Sequence, residues 1–522
     1  MKFDFFPLKS SIGLSGLMQK YLSNDPSIAP FTNGAPSLEK MIAAANTSRF
    51  NNNQRLLLVG ALKKQHSEFP AIQGRVDSFS NENTFTVTTG HQLCLATGPL
   101  YFIYKIASAC SLARMLNEKD TSKKYVPVYW MASEDHDAEE INHAYFFNKK
   151  IVWETEQKGA VGRFELKDIA GFIDAVKIIL GESEKQIAWN NLLEKAYHAK
   201  TLAEATRQLV YGIFGENELV VIDADDHQLK SAFAPILKNE ILNRASFEKV
   251  AMANTQLEML GVKSQVMPRE INLFYLENQS RERIKFEGSY QIGSTVFQQE
   301  RLLEEIESAP EKFSPNVVLR PIYQECILPN VAYIGGPGEL AYWHQLKGVF
   351  SLYEIPFPEL VLRDSALILT SGFMKRLQKL QLEVSHLFGD KNLIIEGWIK
   401  DAGLFDLEDE KKALEVLFNQ VVVKAERADQ TLTGSAQAEG KKILNSFENL
   451  EKKITKAFKA REDQKIQQLE KLWAEVFPDG IPQERHDNFF QFASKCPEGF
   501  IESLIQNFNP LKAELKVIYL ED

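Results

Sequence analysis

A chain of 522 residues is longer than one hydrophobic core usually supports, so two or three structural units are expected. Its composition, 44% hydrophobic and 25% charged, is that of an ordinary soluble globular protein, and no apolar run approaches the ~20 residues of a membrane-spanning helix. The net charge of −10 supplies no overall field for nucleic acid or an anionic membrane, so neither is expected as a partner and small-molecule substrates fit better.

The amino-terminal stretch MKFDFFPLKSSIGL carries an aspartate inside its apolar part and no small-residue cleavage site, which points to a cytoplasmic protein without a secretory signal. Residues 85–88 then alternate as a strand, and Pro99 opens a long apolar-periodic helix. Between them Gly90, His91 and Gln92, with Gly98 just before the helix, form a candidate anion site of backbone amides and an imidazole. A tight turn with a helix-capping histidine reads equally well. Lys105, two turns into the helix, is either a ligand contact or a surface charge.

A second strand, in VPVYWMASEDHDAEEINH, ends abruptly in Glu134, Asp135, His136, Asp137, Glu139, Glu140 and His143. Such a cluster cannot be core, and at the carboxyl end of a strand it is where α/β enzymes do chemistry; a solvated acidic loop is the bland alternative. Asp135, His136, Asp137, Glu140 and His143 could hold a divalent metal, since Glu140 and His143 share a helix face. The partner Glu-x-x-His on another helix is absent, so no metal is assigned. His136 as acid or base, with carboxylates orienting it or binding an amine, is preferred.

Residues 149–207 and 250–313 break the alternation and read as insertions capping the sheet's edge, the second holding a short strand rich in Arg281, Glu282, Arg283 and Lys285. Residues 219–222 form a third strand ending in Asp223, Asp225, Asp226 and His227, which reads as a helix start as readily as a site. Arg320, flanked by apolar residues and followed by Gln324, calls for a carboxylate or an anionic ligand. A fourth strand at 331–334 leads into Gly335, Gly336, Gly338 and Glu339. Three glycines in four residues predict positive φ and close backbone approach to a ligand, although the run is neither a Walker loop nor GxGxxG.

Four strand, loop and helix units imply a Rossmann-like α/β core with a mostly parallel sheet. The scattered Cys94, Cys110, Cys326 and Cys496 form no CxxC pair, so inert thiols are expected rather than zinc ligands, disulfides or nucleophiles. Beyond about residue 370 the chain becomes charged and helical, with apolar positions at three- and four-residue steps through Leu414–Leu432 and again from Ile443 to Val476. A turn near 433–439 would fold these into an antiparallel hairpin, and the length of the second stripe favours a self-associating arm and a homodimer.

Three segments in this order, TTGHQLCLATGPLYFIYK, VPVYWMASEDHDAEEINH and SPNVVLRPIYQECILPNVAYIGGPGELAYW, resemble the bacillithiol biosynthesis cysteine-adding enzymes, a family of cysteine ligases, and the likeness continues to FPDGIPQER. The resemblance implies a nucleotidyltransferase-like Rossmann core over residues 1–370 with two connecting-peptide insertions at about 149–207 and 250–313, and a helical coiled-coil domain over 371–522 used in dimerisation. It also implies amide formation between the carboxylate of cysteine and the amine of glucosaminyl-malate, giving bacillithiol. Family members more often carry Thr-Gly-Gln-Gln where this chain has Thr89, Gly90, His91 and Gln92.

A free carboxylate does not condense with an amine unaided, so cysteine must first be activated, as an acyl-adenylate or acyl-phosphate; ATP or ADP fits, but the activator is left open. On this reading His91, Gln92, Glu134, Asp135, His136 and Asp137 are catalytic candidates. Asn142, His143, Arg320 and Gln324 bind substrate, with Arg320 on the malyl carboxylates. Gly90, Gly98, Lys105, Gly335, Gly336, Gly338 and Glu339 bind the nucleotide. A metal-dependent amide hydrolase and a noncatalytic coiled-coil scaffold are the alternatives.

Overall fold

A computed structural model describes residues 1–8, 14–277, 279–401 and 407–521; residues 9–13 of the amino-terminal stretch read above lie outside them. Five strands form an all-parallel sheet: β1 (Thr84–His91), β2 (Lys124–Met131), β3 (Val220–Asp223), β4 (Asn330–Gly335) and β5 (Glu359–Leu362). Their spatial order is β5-β4-β1-β2-β3. The chain builds outward from β1 in one direction and later in the other, so the order reverses between β1 and β4. At such a switch point an α/β sheet opens a crevice at its carboxyl edge.

All eight residues of β1 are buried, so the expected alternation gives way to the two-sided burial of a central parallel strand. The ladder also runs further than expected, with Gly90 opposite Trp130 and His91 opposite Met131. Helix α1 (Tyr101–Lys119) covers β1 and β2, and its Leu112 and Leu116 share a cluster with Phe85, Val87, Tyr125 and Ile334. Each such side chain contributes about 1.5–3 kcal/mol on burial. Pro99 stands just ahead of this helix, bridged to Asn488. Helices α2 (Arg320–Ile327) and α3 (Pro337–Leu352) flank β4 in sequence.

The segment read as the first insertion, 149–207, belongs to a longer run: a hairpin of His143–Phe146 and Lys149–Val152, then three helices, Ala170–Leu180, Glu184–Tyr197 and Leu202–Phe214. The second is built on a five-stranded sheet in which Leu273–Glu277 lies between Ser280–Phe286 and Phe313–Pro315, antiparallel to both. No helix among the described residues is long and apolar enough to cross a membrane.

Residues 1–368 and 482–522 form one compact unit and residues 369–481 a second. The chain's end, assigned from sequence to the helical domain, thus returns to the first unit. There Glu514–Leu520, a β-branched and aromatic run, pairs antiparallel with Lys2–Pro7, and Lys516 makes a fully buried ion pair with Asp364.

In the second unit Glu408–Ala428 and Leu432–Arg461 make an antiparallel hairpin, tied by Lys411 Nζ to Glu451 Oε2 at 2.7 Å. The turn expected at 433–439 lies instead at 429–431, where Asp429 Oδ1 accepts from the Thr431 amide at 2.8 Å. Gly434 and Gly440 are helical; a Cβ at Gly440 would come within 3.1 Å of Phe418, so this glycine serves helix packing rather than a loop. The stripe read through to Val476 is also interrupted, at Glu462, and Asp463–Val476 is a separate helix with Leu469 and Leu472 buried.

Candidate active site at the carboxyl edge of the parallel sheet

Where β2 ends, a cavity of about 510 Å³ opens against the sheet of the second insertion, and Glu134, Asp135 and Arg320 all line it. Glu134 pairs with the fully buried Lys230, whose ammonium also donates to the Phe313 carbonyl at 2.5 Å. Burial pushes the Glu134 carboxyl up, against the pull of Lys230. Asp135 behaves oppositely. Burial would raise it, but hydrogen bonds from His136 and Gln92, with the nearby Arg281 charge, hold it well below the ordinary carboxylate range.

Gln92 bridges two acidic groups, its Nε2 donating to Asp135 Oδ2 at 2.8 Å and to Glu140 Oε2 at 2.5 Å. The exposed His136 stacks near Phe274, and its Nδ1 lies 2.9 Å from Arg281 Nη1. A guanidinium can only donate, so this contact places the imidazole proton on Nε2. Among the described residues no three His, Cys, Asp or Glu side chains converge as metal ligands.

Arg320 opens α2 and faces the end of β1. Its guanidinium carbon lies 5.6–5.7 Å from the rings of Trp130, Tyr333 and Trp343. Nη1 donates to Gln324 Oε1 at 3.1 Å, while Nη2 is buried without a hydrogen-bond partner. Gly90 makes room for this arrangement: a Cβ there would sit 3.2 Å from the Tyr333 hydroxyl and 3.6 Å from Arg320 Nη1.

Side chains alternate along a strand, so His91 faces away from Gly90 and Arg320. Its ring packs 5.1 Å from both Tyr101 and Phe102, and its Nδ1 is 2.8 Å from the Gln92 carbonyl. Burial, with the charge of Lys105, pushes it down to about 4, so the imidazole is neutral near pH 7. Lys105 is no surface charge: it is 2% exposed, donates to the Gly90 carbonyl and pairs with Glu339 Oε2 at 2.6 Å.

The glycine turn departs from expectation as well. None of Gly335, Gly336 and Gly338 adopts positive φ, because α3 starts directly from the strand end. Gly335 is explained by packing, since a Cβ would meet Leu340 at 2.7 Å. The Gly336 amide donates to Glu339 Oε2 at 2.8 Å, and the Tyr333 hydroxyl to Oε1 at 3.1 Å. The helix's own carboxylate therefore occupies the anion position at its amino terminus. Arg363, unremarked in the sequence, lies close to Gly336; it is bidentate to Glu484 but its Nε is buried without a partner.

The loops near residues 90, 135 and 336 thus adjoin one another, joined by the Gln92–Asp135 and Lys105–Glu339 contacts. Other candidates sit apart. Gly98, at φ 65°, shapes the turn beside Cys94, where a Cβ would be 2.6 Å from that side chain. His143 contacts the Glu139 carbonyl at 3.1 Å and Asn142 at 3.2 Å, and neither His143 nor Asn142 lines the cavity. The exposed Asp137 has no side-chain capping bond. Asp226 caps the helix that follows β3, and Asp225 is bidentate to Arg163.

A family model for bacillithiol biosynthesis BshC, N-terminal Rossmann-like domain, matches residues 1–364, and one for the BshC C-terminal coiled-coil domain matches residues 366–520. The chain belongs to the BshC family. A protein of Flavobacterium johnsoniae named "Putative cysteine ligase BshC" is 39% identical to it, across 99% of this chain and 100% of that protein. Similarly named BshC proteins of Flavobacterium psychrophilum and Cytophaga hutchinsonii are 38% and 36% identical, over 99% and 98% of this chain and of their own lengths. The Rossmann-like core and helical second domain read from sequence are the BshC arrangement, and the BshC relatives carry the name of ligases in bacillithiol biosynthesis.

Proposed function

We propose that this protein joins the carboxyl group of L-cysteine to the amine of glucosaminyl-malate, forming bacillithiol, in the cavity where β2 ends. One observation carries the reading: the cavity is acidic at Glu134 and Asp135 and cationic at Arg320 and along the inserted strand Ser280–Phe286. Substrates that each bear both an amine and carboxylates require a site of both signs.

The residues divide by chemistry. Asp135, held ionised, suits recognition of an ammonium group and is too weak a base to drive its deprotonation. An imidazole is the side chain suited to moving that proton, and His136, beside the cavity on Arg281 and Phe274, would accept it at Nδ1 once the substrate draws Arg281 away from that nitrogen. Arg320 lines the cavity, and its buried, unpartnered Nη2 would meet the negative charge that builds on the cysteinyl carbonyl oxygen if substrate binding uncovers it. A phosphoanhydride such as ATP would supply the activation: attack by the cysteine carboxylate would release ADP or pyrophosphate, and phosphate or AMP would then depart as the amide forms. The turn at 335–338 would receive its phosphates only after Glu339 releases the Gly336 amide.

The test is incubation of the purified protein with cysteine and glucosaminyl-malate, with and without ATP or other nucleoside triphosphates, read by mass spectrometry. A thiol product of the summed mass less one water is expected. Its absence under every nucleotide condition would overturn the reading.

A further inference from the structure

Three arginines of the second insertion line the cavity, Arg269, Arg281 and Arg283, and none forms an ion pair with a carboxylate among the described residues. Arg281 and Arg283 are two apart on the strand Ser280–Phe286 and so face the same way. Both guanidinium groups stack on one ring, Phe274, at 3.9 and 4.8 Å from its centre, and Phe274 sits directly opposite Arg283 in the ladder. Arg281 is anchored at the acidic end by His136 Nδ1, and by Ser314 Oγ and the Pro315 carbonyl, each at 3.1 Å from Nη2.

Arg283 has no such anchor. Burial disfavours the Arg283 charge, and repulsion from Arg269 adds to it. Two like charges kept together at a cavity wall without a carboxylate cost stability in the empty protein, and an anionic ligand would relieve that cost. The strand therefore orders the cavity along one direction: acids at Glu134 and Asp135, then Arg281, then the unpaired Arg283 and Arg269.

We infer that Arg283 and Arg269, with Arg281 behind them, form a dicarboxylate subsite that holds the malyl end of the acceptor while its amine lies toward Asp135. This rests on the ligase reading above, and it moves the malyl carboxylates from Arg320, leaving that guanidinium for the reacting carbonyl. Planar forks stacked on an aromatic ring have fixed directions, which suits two carboxylates better than a single round anion.

The experiment has two readouts. Calorimetric titration of the full-length protein with L-malate, and separately with inorganic phosphate, is compared in wild type, Arg283→Ala and Arg269→Ala; kinetics on glucosaminyl-malate and on plain glucosamine are run in parallel. Expected are malate binding in wild type weakened about 10- to 100-fold by either substitution, a similar rise in KM for glucosaminyl-malate, and an unchanged KM for cysteine. Wild type should also prefer glucosaminyl-malate to glucosamine far more strongly than Arg283→Ala does. Malate binding that is absent, or indifferent to both substitutions, would overturn the subsite, as would phosphate binding more tightly than malate. Arginine-dependent malate binding in a protein without ligase activity would instead overturn the ligase reading and leave the subsite standing.

Discussion

Glu325 lies behind Arg320 on α2. Its Oε1 accepts from Gln324 Nε2 at 2.7 Å and Asn330 Nδ2 at 2.8 Å, and the other end of the Gln324 amide accepts from Arg320. Burial pushes the Glu325 carboxyl from 4.5 up to about 8, outweighing both hydrogen bonds and the Arg320 charge. An acid raised in this way binds a proton in the folded state that the unfolded chain has released. Its contribution to stability is therefore present in full below about pH 4.5 and declines as pH rises to about 8. The slope is about 1.4 kcal/mol per pH unit inside that window, or roughly 4 kcal/mol between pH 5 and pH 8. Glu325→Gln is close in shape, keeps an oxygen to accept both bonds and cannot ionise, so it removes this term. Calorimetric unfolding of wild type and variant across pH 5–8 should give midpoints that diverge steadily, with the variant gaining several degrees relative to wild type at the alkaline end. Two parallel curves would refute the assignment of a buried, protonated Glu325.

Three further outcomes follow from the geometry. Gly90→Ala places a methyl 3.2 Å from Tyr333 and 3.6 Å from Arg320, and should lower ligation on the order of 10- to 100-fold by displacing the guanidinium; unaltered turnover would show that Arg320 does not need that position. Lys105→Met removes the cation from the Glu339 carboxylate, which keeps its bonds from Gly336 and Tyr333, and should cost about 1–3 kcal/mol, visible as a lowered melting temperature, whereas an unchanged melting temperature would show the pair to be well solvated. The hairpin of the second unit leaves Leu417, Val421, Ile443 and Leu450 exposed, so a homodimer through this face is proposed. Leu417→Glu with Leu450→Glu should yield monomers in sedimentation velocity, and a wild-type protein that is already monomeric at micromolar concentration would contradict it.

Four of the five core strands were legible because each is a short apolar run broken by polar or glycine-containing residues, whereas β5, only four residues long, was not; the acidic cluster was legible because seven ionisable groups cannot be buried together. Facing was harder to read. Three additional ladder pairs at the end of β1, at Thr89, Gly90 and His91, turn His91 into aromatic packing and leave Gly90 toward Arg320, a distinction that depends on where the strand stops. The glycine turn misled because Gly335, at the end of β4, answers to Leu340 of α3, a contact that spacing alone does not reveal. Lys105 reads in the sequence as either a ligand contact or a surface charge since its partner, Glu339, is more than 200 positions away. Gly440 mimicked a loop while serving a helix contact. The arginine wall left a usable signal, Arg281 and Arg283 in alternation on a strand, but its meaning needed the acidic cluster to lie opposite.

The central claim is that the cavity at the end of β2 performs the ligation. The most direct measurement compares wild type with Asp135→Asn for bacillithiol formation from cysteine, glucosaminyl-malate and ATP, with circular dichroism confirming an intact fold. Loss of product by on the order of 100-fold or more in the variant is the predicted result, because the amide can still accept from Gln92 but holds no charge for an ammonium group. Product formation at the wild-type rate by Asp135→Asn would contradict the account.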